Sequence, residues 1–243
     1  LGNGAISAKC HHNGCNGKNW QDLQDLAEEP FVSTNDPAPQ AASTLDSPNR
    51  TDLGNAKRLV RQSMMDLRYA VLKGLWYYYD GCRWAVDHKD TTVIRHAKAA
   101  VGTIFAEANA AANAPARRAL LSHAMRSESA RSIKAMVTLA ATEPEFEVEP
   151  SHLDGDPYLF NMSNGTMNLK TGLLQSHDRT DLITKMSPVA FDPEATCPVW
   201  DEFLSYSFDN SPSIIRFFYR YFGYCLTALT TEQVLLFMDG EGK

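Results

Sequence analysis

The sequence lacks any long hydrophobic run, and this absence argues against a protein that spans a membrane with helices. No stretch approaches the roughly 20 apolar residues that a membrane-spanning helix requires. The first residues also lack the basic and apolar pattern of a secretory signal. The 243 residues, 44% of them hydrophobic, suffice for one large or two modest domains. We therefore expect a soluble, intracellular protein with a sizeable core.

Cysteine is also scarce, and the five cysteines are too irregularly spaced for a disulfide framework. Two of them flank two histidines in residues 9–15, Lys-Cys-His-His-Asn-Gly-Cys. Thiolate and imidazole are ligands that zinc prefers, but a tetrahedral site needs four of them and no second pair follows nearby. The segment is therefore either half of a zinc site, with the other pair before residue 1, or a metal-free tail.

Basic and acidic residues are unevenly distributed along the chain, although the net charge is only −6. Residues 1–50 contain 3 basic and 6 acidic side chains, residues 51–140 contain 14 and 7, and residues 141–243 contain 6 and 16. The middle block, with a net charge of +7, can contact nucleic-acid phosphates or can simply form solvated helix faces. The acidic last block argues against a surface that is basic throughout.

Hydrophobic periodicity predicts an α+β chain that is rich in helix. A short helix is expected over 19–29, followed by a proline-rich mobile linker and a helix from residue 51. Longer helices are expected over 90–113 and 115–142, with two more over 200–208 and 212–226. Aromatic-rich strands flank Asp80-Gly81, and a second hairpin flanks Asn164-Gly165. Further short strands are expected at 173–175, 182–186 and 189–191.

Two groups of side chains have both a structural and a functional interpretation. The strand aromatics beside Arg68, Lys73 and Arg83 can stack on unpaired bases, but strand aromatics usually pack a sheet face, and we favour a core role. His152, Asp154 and Asp156 can be read as a metal-hydrolase cluster. Alternating polar residues before a strand more often serve turn geometry, so that reading is the least favoured.

The end of the chain has the pattern that begins a phosphate-binding loop. Residues 234–238 are continuously apolar, which predicts a buried strand, and Gly240 and Gly242 follow at once. A complete loop requires Gly, four residues, Gly-Lys and Ser or Thr. Lys243 does not have this spacing from either glycine, so it is not expected to be the phosphate lysine. An ordinary glycine turn is the alternative. Because the chain lacks an initiating Met and stops within this pattern, we expect it to be a piece of a larger protein.

The order and spacing of several segments resemble a known family. These segments are residues 51–56 (Thr-Asp-Leu-Gly-Asn-Ala), 79–84 (Tyr-Asp-Gly-Cys-Arg-Trp), 154–172 (Asp-Gly-Asp-Pro-Tyr-Leu-Phe-Asn-Met-Ser-Asn-Gly-Thr-Met-Asn-Leu-Lys-Thr-Gly), 197–204 (Cys-Pro-Val-Trp-Asp-Glu-Phe-Leu) and 232–237 (Glu-Gln-Val-Leu-Leu-Phe). Together they resemble the region that precedes and enters the superfamily 3 helicase domain of phage and plasmid primase-helicases, of the poxvirus and phage type. The resemblance covers most of residues 51–243.

The resemblance implies a division of the chain and a set of partners. The proline-rich composition predicts a flexible linker over 29–50. With the resemblance, this gives a Cys/His tail over 1–28, a helical and β-hairpin domain over 51–225, and the truncated start of a P-loop ATPase domain over 226–243. The parent protein would use ATP and Mg²⁺ to unwind DNA as a homo-oligomeric ring in the cytoplasm of a bacterial host. Since the Walker lysine and its partners are absent from these residues, the fragment alone is not expected to hydrolyse ATP.

The candidate site residues follow from the same reasoning. Gly240 and Gly242 would begin the nucleotide loop. By resemblance to the segment that closes the primase portion, Cys10, His12 and Cys15 would be the zinc ligands. For DNA binding the candidates are Arg117, Arg118 and Arg126. As a portion of the parent protein, these 243 residues would link the primase to the helicase and aid DNA binding or ring assembly. The alternative is a non-enzymatic DNA-binding or oligomerisation module.

Overall fold

The structure is a computed structural model that describes residues 48–239. This part of the chain contains six α-helices and two three-stranded antiparallel sheets, which confirms the α+β prediction. The helices are α1 (Asp52–Ser63), α2 (Thr91–Asn109), α3 (Ala114–Ser127), α4 (Ala130–Ala140), α5 (Pro198–Ser207) and α6 (Pro212–Leu226). The strands are β1 (Leu67–Ala70), β2 (Leu75–Tyr79), β3 (Trp84–Val86), β4 (Leu159–Met162), β5 (Gly165–Asn168) and β6 (Leu173–Gln175).

Helices α1 to α4 form a bundle around the main core. Helix α1 packs against both α2 and α4, and α2 also packs against α3. On α1, α2 and α4 the apolar positions that recur every three or four residues point inward, as their periodicity predicts, whereas Met125 of α3 is exposed. Fully buried members of this core include Leu59, Ala97, Ile104, Met136 and Phe146. No helix within residues 48–239 is both long and apolar enough to cross a membrane.

The first sheet, in the order β1-β2-β3, closes one side of the bundle. Its aromatic side chains belong to the core: Trp76, Tyr77 and Trp84 are at most 4% exposed. Trp76 packs against the rings of Tyr69 and Phe146 at centroid distances of 4.9 and 5.3 Å. The core role that we favoured for the strand aromatics is therefore confirmed for these three residues, which leaves their faces inaccessible to bases.

The second sheet, β4-β5-β6, has a tighter turn than the sequence predicts. Met162 pairs with Gly165, so the two turn residues are Ser163 and Asn164, one position before the expected Asn-Gly pair. Gly165 is instead the first residue of β5, where a Cβ atom would lie 2.5 Å from the backbone oxygen of Gln175. The glycine is therefore needed for the close approach of β6, and the turn geometry is set by its neighbours.

The prediction differs from the structure in three parts of the chain. The helix expected over 115–142 is two helices, because the chain is extended at Ser129 and its hydroxyl accepts a 3.2 Å bond from Ser132 N–H to start α4. The apolar period continues across this break since both helices face one core. Residues 182–186 and 189–191 are not strands. They make single backbone bonds instead, such as Trp84 N–H to Ile183 O (2.8 Å).

The strand expected over 234–238 is the third difference. Residues 48–228 belong to one compact unit and residues 229–239 to another, and the latter contain neither helix nor strand. Leu235, Phe237 and Met238 are at least 73% exposed. A strand requires a hydrogen-bonding neighbour, and no described segment pairs with these residues. Gly240 and Gly242 lie outside the described residues.

A buried carboxylate fixes the start of α2. Asp87, which is 3% exposed, accepts bonds from the backbone N–H groups of Thr92 (2.9 Å) and Val93 (2.7 Å) and from the Thr91 hydroxyl (3.2 Å). These N–H groups have no partner within the helix, and a negative charge at this end is favoured by the helix dipole. Asp87 therefore joins the end of β3 to the first turn of α2.

We expect Asp87→Asn to lower the free energy of unfolding by about 2 kcal/mol, because the amide removes the charge and one of the two acceptor oxygens. Asp90→Asn is a matched control, because it removes the same charge from a neighbouring exposed residue that makes no side-chain cap bond. The backbone of Asp90 is in the left-handed conformation, which asparagine also tolerates. Urea unfolding of both variants measures the difference. Equal losses in the two variants would contradict this role for Asp87.

Candidate nucleic-acid interface

The basic residues predicted to bind DNA lie on the exposed side of α3. Arg117, Arg118 and Arg126 are all exposed. The helix begins where the Asn113 side chain accepts a 2.9 Å bond from Ala116 N–H, with Pro115 in the first turn. Capping and the proline thus fix where α3 begins, and the three arginines share the exposed side of the helix with Met125.

Helix α4, which follows α3 in the chain, also exposes basic side chains. Arg131 and Lys134 are exposed on it, and Glu128 is the one acidic residue between Arg117 and Lys134. Ion pairs within residues 48–239 include Arg58–Glu107, Arg83–Asp80 and Arg179–Asp66. None of these pairs neutralises a cation of α3 or α4. We call the five exposed cations the basic face: Arg117, Arg118, Arg126, Arg131 and Lys134.

Behind the basic face, α3 is attached to α1 by polar groups that the sequence did not indicate. Asn55, which is fully buried, donates from Nδ2 to Ser127 Oγ (2.9 Å), and its Oδ1 lies 2.9 Å from His123 Nε2. Since an amide oxygen can only accept, Nε2 of this histidine carries the hydrogen. Burial, followed by the charges of Arg58 and Arg126, lowers the pKa of His123 below its ordinary value of 6.5.

A buried arginine attaches the segment before α1. Arg58 donates to both carboxylate oxygens of Glu107 at 2.8 and 2.6 Å, and to the carbonyl oxygens of Pro48 (2.9 Å) and Asn49 (3.0 Å). Only 3% of its side chain is exposed, so the charge needs these partners. Gly54 makes the packing possible, because a Cβ atom there would lie 1.8 Å from Asn49 O.

Two arginines lie next to aromatic rings, and their contacts stabilise the fold. Arg68 lies 4.9 Å from the centre of the Trp84 ring, and Arg179 lies 5.0 Å from that of Tyr79. Burial, with Arg179 nearby, lowers the pKa of the Arg68 guanidinium. Arg179 also donates to the carboxylate of Asp66 at 3.0 Å. These contacts occupy both guanidinium groups within the protein.

Two residues of the metal-hydrolase alternative bond the protein itself, Asp154 across 30 residues to a second loop and Asp156 within its own turn. Asp154 accepts bonds from Thr184 N–H (2.6 Å) and from the Thr184 hydroxyl (2.5 Å), and Asp156 accepts a bond from Tyr158 N–H (2.9 Å). No group of three potential metal ligands occurs in the described part of the chain. The proposed zinc ligands Cys10, His12 and Cys15 lie outside the described residues.

The fold and surface define an α+β domain in which a four-helix bundle carries one basic side. A family model described as "D5 N terminal like" matches residues 56–208, more than half of the chain, and the chain belongs to this family. No curated protein matches the sequence. This family is the N-terminal domain of the D5-type primase-helicases of phages, plasmids and poxviruses. The chain is therefore part of a primase-helicase-type replication protein, as its resemblance implied.

We expect Gly54→Ala to destabilise the protein by about 1 kcal/mol or more, because the new methyl group must displace the backbone at Asn49. Gly102→Ala is the matched control on α2. Its Cβ would meet nothing within 4 Å, so it should stabilise the protein by about 0.5–1 kcal/mol. Thermal unfolding of both variants tests this, and a stabilised Gly54→Ala variant would show that residues 48–49 are not held against α1.

Proposed function

We propose that this domain is a non-enzymatic DNA-binding module of its replication protein, and that the basic face binds the phosphate backbone of single-stranded DNA. The observation that supports this most directly is the set of five exposed cations on two successive helices, none of them in an ion pair within residues 48–239. Uncompensated Lys and Arg side chains attract phosphates and release bound counterions, which produces salt-dependent affinity.

Two further observations favour phosphate contacts over base recognition. Trp76, Tyr77 and Trp84 of the first sheet are buried, so these three rings offer no stacking platform. The acidic residues that dominate residues 141–243 argue against a surface that attracts DNA throughout. We therefore propose binding that depends little on sequence. Within the parent protein, this contact would hold the strand between the primase and helicase portions.

We expect the triple variant Arg117→Glu, Arg118→Glu, Arg126→Glu to lose most of its affinity for a single-stranded oligonucleotide. Three lost phosphate contacts should reduce the slope of log K against log salt by about 2. Fluorescence anisotropy of the 243-residue chain at several salt concentrations measures both quantities.

The matched control changes three exposed cations elsewhere, Lys73, Arg216 and Arg220, to Glu. This control has the same net charge as the test variant, so a difference between them reports the location of binding and not overall charge. Equal losses in the two variants, or no binding by the unchanged chain at low salt, would overturn the proposal.

A second candidate function, self-association, has its own observation. Helices α5 and α6 contact each other through Trp200 and Phe222 (5.5 Å between ring centres) and through the Tyr219 hydroxyl, which donates to Asp201 at 2.5 Å. Each helix also exposes an apolar stripe at the spacing of a helix-packing seam. We call these two stripes the aromatic face: Val199, Phe203 and Tyr206 on α5, and Tyr219, Phe222 and Leu226 on α6.

The aromatic face would bury its apolar surface against a second copy of the chain, as ring assembly of the parent requires. We expect the double variant Val199→Glu, Tyr206→Glu to weaken concentration-dependent association at least about tenfold. Both side chains are 76% exposed, and neither takes part in the ring contacts between or within α5 and α6. Sedimentation velocity over a concentration series provides the measurement.

Leu72→Glu with Val189→Glu is the control for self-association. These two residues are 81% and 61% exposed and lie outside α5 and α6, so the same chemical change is made away from the aromatic face. If the unchanged chain stays monomeric at every concentration, or if both double variants behave alike, the aromatic face is not a self-association surface.

A further inference from the structure

The orientation of the basic face depends on one buried side chain of α1. Asn55 donates to Ser127 and accepts from His123, and these two residues are one turn apart on the inner side of α3. Successive residues of a helix are rotated by about 100°, so a shift of one residue would turn Arg118 or Arg126 toward the bundle. The two bonds to Asn55 therefore fix the rotation of α3 about its own axis and keep its arginines outside.

The imidazole in this arrangement is surrounded by positive charge. From α1 it faces Arg58 and Asp52, from the segment before α1 it faces Arg50, and on its own helix it faces Arg126. Glu107 of α2 reaches the site only through its ion pair with Arg58, and α4 presents Arg131 and Lys134 on its exposed side. His123 is 4% exposed, so water does little to screen a new charge on the ring.

Protonation of His123 is thus penalised in the folded arrangement. Its folded pKa lies below its ordinary value of 6.5, and the histidine is neutral in the folded protein near neutral pH. The stabilisation that it contributes is complete above that ordinary value and is lost as the pH falls through the lowered folded pKa. The added proton goes to Nδ1, since Nε2 already carries a hydrogen, so protonation does not itself remove the bond to Asn55. The new charge is instead repelled by the Arg58 guanidinium, whose Nη1 lies 3.5 Å from the same Asn55 Oδ1, and this repulsion is relieved when α3 moves away from α1.

We propose that His123 is a positioning residue, which acts through Asn55 to hold the basic face in its DNA-binding orientation only while the imidazole is neutral. This inference rests on the proposed DNA-binding function and adds a pH response to it. The expected direction is opposite to that of simple electrostatics. Acidification adds positive charge to a protein and would by itself strengthen the attraction for DNA.

The experiment measures affinity of the 243-residue chain for a single-stranded oligonucleotide at about pH 7.5 and about pH 5.5, at constant ionic strength. We expect the unchanged chain to bind at least about threefold more weakly at the lower pH. His123→Gln should abolish this loss, because the glutamine amide can donate to Asn55 Oδ1 and does not titrate. His152→Gln is the control, since it removes an exposed histidine and should leave the loss in place.

A second measurement separates the inference from the function on which it rests. Amide hydrogen exchange of residues 114–127, corrected for the intrinsic effect of pH, should show lower protection at about pH 5.5 in the unchanged chain and not in His123→Gln. Equal or tighter DNA binding by the unchanged chain at the lower pH, or protection of α3 that does not change, would overturn this inference alone. No binding even at about pH 7.5 would overturn the proposed function and this inference with it.

Discussion

A guanidinium group that is removed from water must be neutralised and must have its N–H groups bonded, and Arg58 imposes this requirement on the helical bundle. Four acceptor atoms outside α1 bind it: the two carboxylate oxygens of Glu107 on α2, and the carbonyl oxygens of Pro48 and Asn49 in the segment that enters the domain. One side chain of α1 thereby determines where α2 and the entering segment lie. Removing one partner would leave a buried charge uncompensated.

Asn55 extends this constraint to a third helix. It lies one turn before Arg58 on the same side of α1, and it binds two side chains of α3 while Arg58 binds α2. Apolar contacts alone are non-directional and allow helices to slide or rotate with little cost. Hydrogen bonds to a buried amide are directional, and leaving one unmade is costly. The polar side of α1 therefore gives the apolar bundle one arrangement, and this arrangement places the arginines of α3 outside.

Much of the fold could be predicted from local pattern, and the exceptions have physical reasons. The helices and the two hairpins follow from hydrophobic periodicity, which reports burial. The break at Ser129 was missed because α3 and α4 present one continuous apolar period to the same core. The turn before Gly165 was placed one residue late because Asn-Gly favours a turn, whereas here a close approach by Gln175 requires the glycine.

Only the exposed part of the candidate site, the basic face, could be predicted from the sequence. Exposed arginines can be counted from the sequence, but their freedom from ion pairs depends on which acidic residues lie nearby in three dimensions. The buried part, Asn55 with His123 and Ser127, joins residues about 70 positions apart, which no local period reveals. The available signal was the presence of Asn and Arg among the apolar positions of α1, where burial without partners would be too costly.

The limits of the family match separate the two surfaces. The match covers residues 56–208, so the basic face on α3 and α4 lies well within it. It ends one residue after α5, and α6 lies beyond it, although Trp200 and Phe222 join the two helices across that limit. The aromatic face is therefore built from residues on both sides of the family boundary. A contact on the aromatic face would act on α6 and on the residues that follow it. A contact on the basic face would act within the family domain itself. The two candidate functions use different helices, so DNA binding and self-association are compatible in one molecule.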